Sequence, residues 1–211
     1  MNITQILGAD RFVPVLAFRS VDEALAISDV LLACGVRLLE ITLRTPVALA
    51  CIEAVAKTYP QACVGVGTVI EPVQLREARA AGAVFGVSPG LTPSLAESIL
   101  AEQFPFLPGA ASVSEIMRAR EMGFRMLKFF PAEAQGGARF LRSLIDVLPD
   151  MRFCATGGID PGNASDYLKL PNLQAIGGSW MIRRRADGSF DAQATREALE
   201  AMRRLAPSAG A

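Results

Sequence analysis

The sequence predicts an α/β fold, a single-domain (β/α)8 TIM barrel, and three observations carry that expectation. Short apolar or β-branched runs alternate with helical-period segments along the chain, which is the pattern of repeated βα units. Helix-start signatures and glycines suited to helix ends punctuate the alternation. Eight strand candidates can close on themselves and leave no sheet edge, whereas open doubly wound sheets usually hold fewer.

Residues 1–10 read as an extra N-terminal helix covering the bottom of the barrel. The strand candidates are residues 14–18, 37–43, 62–68, 84–87, 106–107, 126–129, 153–155 and 173–176. Between them, helices open at Ser20-Val-Asp-Glu23, Glu71-Pro72, Thr92-Pro93, Ser112-Val-Ser-Glu115 and Asp160-Pro161, each offering a capping oxygen or a proline for the first turn. Gly35, Gly82 and Gly123 stand just before the next strand, where a helix end favours a left-handed residue. A short helix is expected to begin near Trp180 after the last strand, and residues 205–211 read as a frayed tail rich in Ala, Ser, Pro and Gly. With no linker in view, residues 1–211 are expected to form one domain.

Composition narrows the function. A hydrophobic fraction of 51% and a mean hydropathy of +0.33 are high for a soluble monomer, so self-association is expected. Balanced charge, 21 Lys+Arg against 21 Asp+Glu, with no basic patch interleaved with aromatics argues against a nucleic-acid partner. Arg183-Arg184-Arg185 reads as a solvated turn with no assigned function. No apolar run reaches the roughly 18 to 20 residues that span a bilayer, and residues 1–12 lack a signal-peptide pattern, so no membrane contact and a cytoplasmic location are expected. Cys34, Cys51, Cys63 and Cys154 have no CxxC spacing, sit among apolar neighbours and read as buried reduced thiols. The chain has no histidine, which removes His-based triads, His-ligated metals and imidazole acids together. Lys57, Lys128 and Lys169 are its only lysines.

Barrels of this kind carry their chemistry at the carboxyl ends of the strands, so polar residues there are the candidates. Strand alternation puts Met126 and Lys128 on one face and Leu127 and Phe129 on the other, with Lys128 inward if the other pair packs on helices. Burial disfavours an ammonium and favours a nucleophilic neutral amine; a lysine paired to a core carboxylate is the competing reading. Leu38, Glu40 and Thr42 share a face, so Glu40 points where Lys128 points, either as a general acid/base or as half of a buried ion pair. Arg44 follows at the strand end, where its guanidinium suits a carboxylate; an ordinary surface arginine is the alternative. Gly65-Val-Gly67-Thr68 allows close backbone approach and adds a hydroxyl. Thr156-Gly157-Gly158 and Gly177-Gly178-Ser179 end the seventh and eighth strands, the usual place for a phosphate cradle of backbone N–H groups and a helix N-terminus.

These segments, Glu40-Ile-Thr-Leu-Arg-Thr45, Val64-Gly-Val-Gly-Thr-Val69, Ser88-Pro-Gly-Leu-Thr92, Lys128-Phe-Phe-Pro-Ala-Glu133, Thr156-Gly-Gly158 and Gly177-Gly-Ser-Trp180, run in order over nearly the whole chain. Together they resemble the 2-keto-3-deoxy-6-phosphogluconate (KDPG) aldolase and 4-hydroxy-2-oxoglutarate (KHG) aldolase family. The resemblance implies a metal-free class I aldolase without cofactor, a homotrimer, that cleaves the phosphorylated keto acid to pyruvate and glyceraldehyde 3-phosphate and acts also on 4-hydroxy-2-oxoglutarate. It implies Lys128 as the Schiff-base lysine and Glu40 as the proton shuttle. Arg44 and Thr68 would bind the pyruvate carboxylate, and Pro89, Phe130 and Thr156 would line the pocket. Gly157, Gly158, Gly178 and Ser179 would hold the phosphate. Ala155 stands where the family is expected to carry proline, and Ser112 where threonine is more usual. Two other readings use the same cradle: a phosphosugar isomerase or epimerase, and a barrel that only binds a phosphorylated metabolite.

Overall fold

A computed structural model describes residues 2–8 and 10–205. Among these, nine parallel strands are β1 Phe12–Leu16, β2 Leu38–Thr42, β3 Cys63–Gly67, β4 Phe85–Val87, β5 Phe106–Leu107, β6 Gly109–Ala110, β7 Met126–Phe129, β8 Arg152–Thr156 and β9 Leu173–Gly178. The helices are α1 Ile3–Leu7, α2 Val21–Ala33, α3 Ala48–Thr58, α4 Pro72–Ala80, α5 Pro93–Glu102, α6 Val113–Glu121, α7 Gly137–Ser143, α8 Ala164–Leu168 and α9 Ala192–Leu205. The strand order β5-β4-β3-β2-β1-β9-β8-β7-β6 wraps into a TIM-like barrel.

The fifth stave differs from the expected single strand of two residues. Pro108 has no N–H and interrupts the ladder, so β5 pairs with β4 and β6 pairs with β7. Its carbonyl still accepts from Lys128 N at 2.9 Å, which carries the barrel across the break. The first strand begins earlier than expected, at Phe12, with Pro14 inside it opposite Gly178; proline's φ suits an extended segment even without the donor.

Most of the helix starts lie where the capping chemistry put them. Ser20 accepts from Glu23 N, Thr92 from Leu95 N, and Ser112 with Glu115 makes a reciprocal box. Asp160-Pro161 does not open its helix directly. The Asp160 carboxylate takes Gly162 N at 2.7 Å and forms a separate turn, so α8 starts only at Ala164. The short helix expected at Trp180 is a single turn closed by Ile182 N on the Ser179 carbonyl, because the chain goes straight on into a bridge between Arg184 and Phe190. That bridge folds around Asp187-Gly188-Ser189, with Gly188 at φ 80°.

Two apolar layers follow from strand alternation. Val13, Leu38, Phe85, Val87, Leu107, Met126, Cys154 and Ala175 fill the barrel interior, while Leu39, Ile41, Leu127 and Phe129 pack outward on the helices. Ile6 and Leu7 of α1 join the inner layer, so the helix expected over residues 1–10 is there as Ile3–Leu7 and closes one end. Of the expected tail, Leu205 ends α9 and residues 206–211 lie outside the described residues. Among the described residues, no helix is long and apolar enough to cross a membrane. The four cysteines are free; Cys51 and Cys154 are buried as expected, whereas Cys34 and Cys63 are only partly buried.

Candidate active site

The inward faces of β2 and β7 place Glu40 and Lys128 together in the barrel. Lys128 Nζ donates to Glu40 Oε1 at 3.2 Å, with side chains only 5% and 3% exposed. The Phe130 ring centroid stands 5.4 Å from the amine. Room for this pair comes from β3, whose inward positions are glycines. A Cβ at Gly67 would fall 2.4 Å from Glu40 Oε1, and one at Gly65 would fall 2.2 Å from the Phe85 ring. The two glycines therefore admit side chains of the neighbouring strands, a different use from the backbone approach read from sequence.

Cys154 lies beside Lys128 in the β7–β8 register. Burial pushes its thiol up to about 12, so it stays protonated and competes neither as a base nor as a nucleophile.

Arg44, beyond the end of β2, donates from Nε to Thr68 Oγ1 at 3.2 Å, leaving its outer nitrogens toward the cavity. Thr68 has φ 62°, a left-handed conformation that a β-branched residue adopts at a cost of about 1–3 kcal/mol. That strain turns the hydroxyl to the arginine.

A cavity of about 370 Å³ has walls that include Arg44, Phe130, Thr156, Gly157, Gly158 and Ser179; Lys128 and Glu40 are not among its lining residues, and Phe130 is the wall residue that also meets the amine. Gly157 and Gly158 have φ 106° and 77°, which frees their N–H groups from strand pairing. Beside these N–H groups stands Ser179; among the described residues, a turn and not the expected helix N-terminus directly follows β9. Thr156 Oγ1 is buried with no hydrogen-bond partner, in space left by Gly177, where a Cβ would lie 2.3 Å away. Pro89 is not part of these walls. Ser88 Oγ bonds the Gly90 carbonyl at 2.6 Å, and the Pro89 carbonyl packs over Gly109. Val15, Ile159, Asp160 and Trp180 also line the cavity. Alternation along β1 could have found Val15; the other three sit on loops with no periodic signal. Among the described residues, no three His, Cys, Asp or Glu side chains converge as a metal site.

A family model described as KDPG and KHG aldolase matches residues 3–196. The chain belongs to the KDPG and KHG aldolase family. A KHG/KDPG aldolase of Escherichia coli is 43% identical over 199 residues, covering 92% of this chain and 93% of the relative. A 2-dehydro-3-deoxy-phosphogluconate aldolase of Pseudoalteromonas atlantica is 45% identical over 169 residues, 80% of this chain and 79% of that one. The crystal structure of a KDPG aldolase from Legionella pneumophila, with pyruvate captured at low pH as a covalent carbinolamine intermediate, superposes with a TM-score of 0.88 at 38% identity, covering 99% of each chain.

The Gly67 contact gives a test of the pair's geometry within this family's reaction. Gly67→Ala is expected to lower kcat for keto-acid cleavage by about ten- to a hundredfold, the scale of an ångström of misplacement, with circular dichroism unchanged. Undiminished kcat would show that Glu40 need not occupy its present place.

Proposed function

We propose that this chain is a class I aldolase that cleaves 2-dehydro-3-deoxy-6-phosphogluconate to pyruvate and glyceraldehyde 3-phosphate through an imine on Lys128. The observation that carries the reading is a buried amine and carboxylate in hydrogen-bond contact, joined through Phe130 to a cavity lined by Arg44 and a glycine-rich turn. One proton passed from the ammonium to Glu40 leaves a neutral amine and a neutral acid, with no charge stranded in the barrel.

The amine attacks C2 of the keto acid, and the carbinolamine loses its hydroxyl as water by taking the proton held on Glu40, which leaves a protonated imine and the Glu40 carboxylate. Glu40 then takes the proton of the C4 hydroxyl, directly or through a water. The C3–C4 bond breaks, its electron pair enters the imine as an enamine, and the aldehyde leaves. Glu40 returns the proton to C3, and water hydrolyses the imine to release pyruvate. The imine is the electron sink, so this scheme calls for no metal or organic cofactor.

Arg44, with Thr68, holds the substrate carboxylate, while Phe130 walls the site and Thr156 meets the sugar hydroxyls. Gly157, Gly158, Gly178 and Ser179 bind the phosphate, remote binding energy that aligns the C3–C4 bond with the imine. The same site accepts 4-hydroxy-2-oxoglutarate, giving pyruvate and glyoxylate without use of the cradle. The chain serves as one barrel domain over its described residues, and the free cysteines accord with a cytoplasmic setting. The assembly is a homotrimer, a reading supported by exposed Ile70, Val73, Leu100, Val113 and Met117 on or beside α4 to α6.

Borohydride added with pyruvate is expected to leave one covalent adduct, mapped to Lys128 by mass spectrometry and missing from Lys128→Ala. An unmodified parent protein would point to an isomerase or a binding barrel instead. Ser179→Ala should lower kcat/KM for the phosphorylated substrate about tenfold, the worth of one hydrogen bond to a charged group, and leave 4-hydroxy-2-oxoglutarate within about twofold. Equal losses on both would remove Ser179 from the cradle. Light scattering should give three times the chain mass, falling to the monomer in Met117→Arg; a parent monomer would overturn the trimer.

A further inference from the structure

A turn of two glycines is a poor device for holding a phosphate unless something outside it fixes its shape, because glycine resists few backbone conformations. At Gly157-Gly158 the fixing comes from the chain that continues past Lys128. Ala132 N donates to the Thr156 carbonyl at 2.8 Å and Glu133 N to the Gly157 carbonyl at 3.0 Å, so the exit of β7 lies along the turn. The Glu133 side chain then crosses the face of Gly158, where an added Cβ would stand 2.8 Å from Glu133 Cβ.

Beyond the crossing, Glu133 Oε1 accepts from the hydroxyl of Tyr167, which is 1% exposed and sits on α8, the first helix after the turn. Gly137, at φ 62°, leaves space for this contact, since a Cβ there would be 2.8 Å from Glu133 Oε1 and 3.2 Å from the tyrosine oxygen. On the other side Asn163 Nδ2 donates to the Gly158 carbonyl at 3.0 Å. Burial, reinforced by the Glu133 carboxylate, raises the Tyr167 phenol above its ordinary value, so the donor proton is kept at every working pH. Neither Glu133 nor Tyr167 is needed for bond chemistry in the scheme above, yet they join the lysine strand, the turn and α8 in one closed circuit.

We propose that Glu133 and Tyr167 are positioning residues: their hydrogen bond latches the glycine turn that receives the phosphate to the strand end that carries Lys128. The distance between the two substrate anchors is then set by the latch and not by the turn. The proposal rests on the aldolase reading and concerns only how the phosphorylated substrate is placed.

The test compares Tyr167→Phe, which keeps the ring and removes the hydroxyl, with Glu133→Gln, which keeps a neutral acceptor, and Glu133→Ala, which keeps none. For the phosphorylated keto acid, KM is expected to rise about five- to tenfold in Tyr167→Phe and Glu133→Ala and by less in Glu133→Gln, as expected for loss of one charge-assisted hydrogen bond. Constants for 4-hydroxy-2-oxoglutarate should stay within about twofold, and the rate of borohydride trapping of pyruvate should be unchanged. Equal losses on both substrates in folded variants, or an unchanged KM for the phosphorylated one, would overturn the latch. Should Tyr167→Phe fail to fold, the order Gln before Ala at Glu133 decides the matter on the same readouts. A parent protein that forms no pyruvate adduct would instead defeat the aldolase reading, which separates the two failures.

Discussion

The contact between Lys128 and Glu40 is the constraint around which the barrel's upper half is arranged. Two ionisable groups this deeply buried are tolerated only in close mutual contact; removing one partner strands the other at a cost of about 3–5 kcal/mol. The neighbours answer that demand in different ways. Gly67 gives up its side chain so that the carboxylate has a place, Cys154 remains an uncharged thiol beside the amine, and Phe130 covers the amine with an aromatic face.

The inward direction of these residues was legible before any coordinates. The period of two along Met126-Leu-Lys-Phe129 and Leu38-Leu-Glu-Ile-Thr42 set both faces, and Leu127, Phe129, Leu39 and Ile41 do pack outward. Helix starts built on Ser20, Thr92 and Ser112 were equally legible, because a capping oxygen acts within one turn. What failed depended on longer range. Pro108 splits one stave between two neighbours, and strand periodicity cannot tell a two-residue strand from two such strands around a proline. Asp160 spends its carboxylate on Gly162, and the segment after Ser179 is drawn into a hairpin by residues ten positions on. The packing of the Pro89 carbonyl over Gly109 of β6 is likewise a tertiary contact that no local pattern encodes. Lys128 and Glu40 are neighbours as strand alternation predicts, whereas the meeting of Glu133, the last residue of the Lys128 motif, with Tyr167 is tertiary and carried no signal.

The two ends of the site are built on opposite principles. At the lysine end, side chains do the work and the backbone is regular strand. At the glycine turn, Gly157 and Gly158 at positive φ expose the backbone itself, with Ser179 beside them. Thr68 stands between the two styles, a β-branched residue in a glycine-like conformation whose hydroxyl meets Arg44. Rigid strands suit groups that exchange protons over fractions of an ångström, whereas bare backbone suits an anion that needs several donors at once.

The short helix at the start of the chain has a consequence for traffic. With Ile6 and Leu7 filling one end, the barrel is a blind well, and the water shed in forming the imine must leave by the mouth through which substrate enters. Substrate and products therefore share one opening, and the products of one turnover must clear it before the next molecule can enter.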